Sequence, residues 1–129
     1  MIDVIELTIP VRADLVVLAR LTAATVASRA EFDVEEIEDL RLAVDELCVS
    51  LVQGGVEGQL DLQFSRDEDR VEVSCSYESG MGDAGRGIDP SLVGLSALIL
   101  DALVDEHGEE TQDGKRRAWL RKRRAQHSH

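Results

Sequence analysis

The chain has 129 residues, 43% of them hydrophobic, 31% charged and only two proline, which is enough apolar matter for one packed core and argues against disorder. Aromatics make up 3%, so that core has to be built from Leu, Val, Ile and Ala, and no apolar run approaches the roughly 18 residues a membrane span needs. The net charge of −12 is unevenly spread: residues 1–114 hold all 26 acids against seven bases and carry −19, while Lys115 to Arg124 hold the other seven bases. An acidic body repels phosphate backbones, which argues against nucleic acid, and suits a basic protein partner through steering. The basic end could touch DNA, but offsetting the acidic body is the simpler use for it. Cys48 and Cys75 both sit in apolar-patterned segments and read as buried small side chains rather than a disulfide scaffold. With no basic-then-apolar start of a signal peptide, the expectation is a cytosolic protein with one domain over residues 1–129 and a basic C-terminal tail from about 121 to 129.

Residues Ile2–Ile9 alternate, with Ile5, Leu7 and Ile9 on one face, and predict a strand that Pro10 stops. From Asp14 to about Arg29 the chain is rich in Ala, Leu and Val and predicts a helix buried on its Leu15, Leu18, Leu21 side. Asp33 with Glu36 three residues on is a capping-box spacing, and it opens the clearest helix, whose stripe is Ile37, Leu40, Val44, Leu47 and Leu51 up to Gly54–Gly55. Leu60, Leu62 and Phe64, then Val71, Val73 and Cys75, alternate with polar residues and predict a hairpin turning in Arg66–Asp69. A Gly-rich segment from Gly80 to Gly87 precedes a third, apolar helix over Ser91–Glu106. The last hairpin turns at Asp113–Gly114, with Ala118 and Leu120 facing one way on its return strand and Trp119 the other. The order is β-α-α-β-β-α-β-β. It predicts an α+β two-layer sandwich, a mixed, mostly antiparallel sheet with helices on one face.

Two places could carry chemistry. Glu46 and Ser50 are four apart on the second helix and share a face that, at about 100° per residue, points well away from the apolar stripe. A carboxylate and a hydroxyl there could polarise a water or hydroxyl and hold a metal; a plain solvated face is the other reading. In Asp83-Ala-Gly85-Arg-Gly87-Ile-Asp-Pro90 an acid precedes two glycines, which let a backbone approach a ligand while the carboxylate accepts from a base's amino group. A flexible loop would look the same. His107, His127 and His129 have no metal-ligand spacing, and Ser28, Ser74 and Ser76 lack a nearby His–Asp arrangement.

Taken in this order, Ile37-Glu-Asp-Leu-Arg-Leu-Ala-Val-Asp-Glu-Leu-Cys48 closely resembles the most recognisable stretch of the RsbW-type anti-sigma factors, switch-protein serine kinases of the GHKL (histidine-kinase-like) ATPase superfamily. The opening strand and Pro10, Leu18-Ala-Arg-Leu-Thr22, Ala102-Leu-Val-Asp-Glu106 and the closing hairpin extend the resemblance along nearly the whole chain. It implies a Bergerat-type fold, with Glu46 matching the general base of phosphoryl transfer. Ser50 stands where the family has an Asn that ligates Mg²⁺, and a hydroxyl can also ligate Mg²⁺. Asp83, Gly85 and Gly87 match the family's adenine-reading Asp-x-Gly-x-Gly box. Counting from Val71–Val73, however, the acid should come near Glu78, where Glu78-Ser-Gly80-Met-Gly82 is an imperfect second copy. The motif favours Asp83 and the register Glu78. The family's glycine-rich turn ahead of the third helix, part of a lid over the phosphates, appears as Gly94-Leu-Ser96, with Ser96 in place of the second Gly; if Asp83 is the adenine-reading acid, most of the lid is missing.

The resemblance therefore implies an anti-sigma factor that sequesters an alternative sigma factor of the stress or sporulation type, works as a homodimer, and is released by an anti-anti-sigma (STAS-domain) protein. Arg20 falls where the family places a partner-contacting arginine. An ATP- and Mg²⁺-dependent serine kinase acting on that STAS partner is the alternative, although phosphoryl transfer needs a metal and a charge-neutralising cradle as well as a base. An unrelated small α/β regulatory module is the third reading.

Overall fold

The computed structural model describes residues 3–51, 58–78, 90–112 and 115–125. Five strands and three helices follow in the expected order: β1 (Asp3–Pro10), α1 (Ala13–Arg29), α2 (Val34–Leu51), β2 (Gln59–Asp67), β3 (Arg70–Glu78), α3 (Pro90–Leu103), β4 (Glu106–Gln112) and β5 (Lys115–Arg123). The sheet runs β1-β2-β3-β5-β4. Every pairing among the described residues is antiparallel, so the parallel component of the expected mixed sheet is not seen there. Alternation puts Ile9, Leu60, Leu62, Phe64, Val71, Val73, Cys75, Ala118 and Leu120 on the face covered by helices, where they form one core.

α2 starts where Asp33 predicts. The Asp33 carboxylate accepts from the Glu36 N–H at 2.8 Å, and the Asp33 N–H donates back to Glu36 Oε1 at 2.9 Å. The second Glu36 oxygen accepts from the N–H of Ala125, just beyond β5, so one buried carboxylate ties the start of α2 to the end of the chain. Residues 121–125 are thus not a tail: Arg121–Arg123 are strand, and Arg124 and Ala125 dock on Asp69, Glu31 and Glu36.

α1 turns differently from its leucines. Its buried face is Ala19, Ala23, Val26 and Ala27, continued by Ala30, while Leu18 and Leu21 are 43% and 53% exposed. Small side chains let α1 lie close on α2 and the sheet, which the larger leucines would hold off. Between the two helices Glu31 takes a left-handed φ of 63°. α3 ends three residues before the expected Glu106. Beyond it Asp105 joins β5 instead, its N–H donating to Arg121 O at 3.1 Å and its carboxylate accepting from the Arg123 N–H at 2.7 Å. On the open face of the sheet Trp119 lies against Gly108, where an added Cβ would stand 2.8 Å from the indole, and the Arg121 guanidinium sits 5.6 Å from the ring centre.

Cys48 and Cys75 are free and buried, facing each other between α2 and β3. Hydrogen bonding to Cys48, with burial second, pushes the Cys75 thiol well above its ordinary value of 9.0. The unfolded thiol ionises above that value and the native one does not. Its contribution is therefore complete below pH 9.0 and is lost as pH rises, by about 1.4 kcal/mol per pH unit. Urea unfolding compared at pH 8 and pH 10 should show this loss, and Cys75→Ala should flatten it. Removing the α2 cap should separate two costs in the same assay: about 1 kcal/mol for Asp33→Ala, and about 2–3 kcal/mol for Glu36→Ala, which removes the charged acceptor of two hydrogen bonds.

Candidate functional site

The site lies along the seam between α2 and α3. Glu46 and Ser50 share a face of α2, as their spacing requires, but that face does not point into solvent. Ser50 is 8% exposed, and its hydroxyl donates to Leu47 O at 3.1 Å on its own helix. Just beyond, Arg116 of β5 closes the end of α2, donating through Nη1 to Leu51 O at 2.8 Å and pairing with Glu109 at 2.6 Å. Glu46 is half-buried, and its Oε1 accepts the Ser96 hydroxyl of α3 at 2.5 Å. The structure thus brings together Glu46 and Ser96, a residue that the sequence marked only as an interruption of a glycine box.

The other expected site residues fall in three places. Glu78 is the last residue of β3, opposite Gln59 on β2, the position that the strand register picks. Asp83, Gly85 and Gly87 lie outside the described residues. Gly94 lies within α3 rather than in a turn ahead of it, and no described atom stands within 4 Å of where a Cβ would sit. Arg20 lies away from this seam, on the α1 side of α2, where its Nε is 3.6 Å from Asp45 Oδ1. That partner was not read from the sequence; the available signal was opposite charges near the middles of two helices joined by a short link.

The groups that could hold Mg²⁺ are few. Among the described residues no cluster of three His, Cys, Asp or Glu side chains could hold a metal on protein ligands alone, and the Ser50 hydroxyl hydrogen is donated along its own helix. At the position of the family's Asn the chain thus offers Mg²⁺ a hydroxyl oxygen on a residue only 8% exposed, a poorer donor to the metal that the resemblance implies. Adding Mg²⁺ should not strengthen ATP binding in calorimetry; a tenfold Mg²⁺-dependent gain would show that Ser50 turns outward to ligate it.

A three-helix layer on an antiparallel sheet, with a carboxylate helix beside the helix that follows β3, is the α+β sandwich of this chain. Residues 9–122 match the histidine kinase-like ATPase domain, and the chain belongs to that family. Curated relatives narrow the branch. The chain is 31% identical over 129 residues to the serine-protein kinase RsbW of Bacillus subtilis, covering 87% of this chain and 81% of that protein. It is likewise 31% identical over 130 residues to the protein of the same name from Bacillus velezensis, at 88% and 81% coverage. The Bacillus pumilus protein is 39% identical over 88 residues, which span 64% of this chain and 54% of that relative, about half its length. No helix among the described residues is long and apolar enough to cross a membrane.

Proposed function

We propose that this chain is an anti-sigma factor of the RsbW kind. It binds and sequesters an alternative RNA polymerase sigma factor of the stress or sporulation type in the cytoplasm, acts as a homodimer, and yields to a STAS-domain anti-anti-sigma protein. Sequestration needs a complementary surface and not a turnover site, and the surface presented by α1 and α2 carries the reading. Arg20 and Asp45 pair there with side chains 35% and 41% exposed, and Leu21 follows Arg20 in sequence. Leu42 and Val49 lie one turn to either side of Asp45, and all three apolar side chains are half exposed. Apolar area of this kind, rimmed by charge, marks a protein-binding face.

The pair also suits a switch between partners. The Arg20 Nε–Asp45 contact is long, 3.6 Å, and that nitrogen is buried, so it is the exposed part of the guanidinium that can take an acidic partner group. The strongly acidic remainder steers basic partners toward the chain. The kinase alternative gains no support from α2 and α3, where the Glu46 carboxylate is occupied and Ser50 is turned inward.

Calorimetry of the chain with the alternative sigma factors of its own genome tests the reading, and failure of all of them to bind would overturn it. Arg20→Glu should weaken the complex by about 2–4 kcal/mol. Arg12→Glu, at an exposed arginine that bonds only locally to Asp14, should leave it unchanged. Equal affinity for wild type and Arg20→Glu would remove Arg20 from the surface. Sedimentation of the free chain tests the dimer.

A further inference from the structure

We propose that Ser96 is a latch: its hydroxyl occupies Oε1 of the Glu46 carboxylate and holds the Gly94–Ile99 part of α3 against α2, so that this docking and use of Oε1 by any other donor compete. This goes beyond the partner-binding reading and does not depend on which partner is bound.

Hydroxyl residues inside helices ordinarily bond back to their own backbone. Thr22 donates to Leu18 O at 2.8 Å, Thr25 to Leu21 O at 2.9 Å and Ser50 to Leu47 O at 3.1 Å. Ser96 instead reaches across to another helix and bonds to a carboxylate, the charge-assisted and stronger arrangement. Its surroundings make that bond matter. From Gly94 to Ile99, Ser96 is the only buried residue: Gly94 has no side chain, Leu95 and Leu98 are 53% and 67% exposed, and the next buried anchor is Leu100. Apolar packing therefore holds the second half of α3, through Leu100 and Val104, while a polar bond holds the described part of the first half.

Two states follow. With Ser96 on Glu46, Oε1 is occupied and α3 is docked at this point. A water, or a hydroxyl brought by another protein, that takes Oε1 displaces Ser96 and releases the segment around Gly94, whereas a donor to Oε2 leaves the latch in place. Occupancy of Oε1 is in this way converted into movement of α3.

Residue-resolved amide hydrogen exchange on the full chain, without added ligand, tests the latch. Ser96→Ala should speed exchange at least tenfold for the amides of Leu95 to Ile99, with the sheet amides of Phe64 and Val73 unchanged. Glu46→Ala should reproduce that pattern, and the double variant should be no faster than either single one, because both remove the same bond. Wild-type exchange in Ser96→Ala would overturn the proposal. So would acceleration spread evenly over helices and sheet, or additive effects in the double variant. Sigma-factor affinity is measured separately, so loss of the partner-binding reading would leave these outcomes intact.

Discussion

A chain whose first 114 residues carry −19 can be compact only if positive charge is brought to the acids from within, and β5 does so. It lies between β3 and β4 and, with Arg124 just past its end, reaches acids on β3, β4, α2 and the α1–α2 corner. Arg121 meets Glu72 of β3 and Glu106 of β4, Arg116 and Arg117 meet Glu109 and Glu110, Lys122 approaches Asp39 of α2, and Arg124 meets Glu31 at the α1–α2 corner. Exposed pairs of this kind contribute little one at a time. Their collective effect is to relieve the repulsion that would otherwise oppose closing the helical layer on the sheet. The bond from Ala125 to Glu36 completes the arrangement, because the strand that supplies the cations ends on the residue that starts α2.

That arrangement fixes α2, and α2 in turn separates two surfaces. On one side, with α1, it offers a charged pair among half-exposed leucine and valine side chains. On the other, with α3, its carboxylate and hydroxyl are already satisfied inside the protein. A polar group removed from water has to find a partner. Glu46 and Ser50 have found theirs in Ser96 and in a backbone carbonyl. The two surfaces lie on two neighbouring faces of one helix, Asp45 on one and Glu46 on the other, so an event at the α3 seam and an event at Arg20 share that helix.

How much of this was legible varies from element to element. α2 could be read closely, since its capping pair and apolar stripe are local and agree with each other. The closing hairpin was legible because Ala118 and Leu120 alternate with Trp119 within a short span. α1 was misread in part, because an apolar periodicity shows which residues avoid water but not which face a neighbour can approach; alanines won that face, Leu15 packs at its edge, and Leu18 and Leu21 were left outside. The end of α3 was overrun because its stop signal is tertiary, supplied by β5 to Asp105. Ser96 looked like damage to a motif when read against a family pattern, whereas its bond is defined only once α2 and α3 are side by side. Family membership was carried by the Ile37–Cys48 segment, and the chain-long match agrees with it.

Trp119 is the only tryptophan, and it lies on the uncovered side of the sheet, wedged over Gly108 beside Arg121. The chain thus carries its one indole at the seam of the last two strands and on the far side of the sheet from the helices. Excited at the red edge of its absorption, where Tyr77 does not absorb, Trp119 reports on whether β4 stays zipped to β5. Melting of the protein can therefore be followed by an emitter that sits away from the helical face.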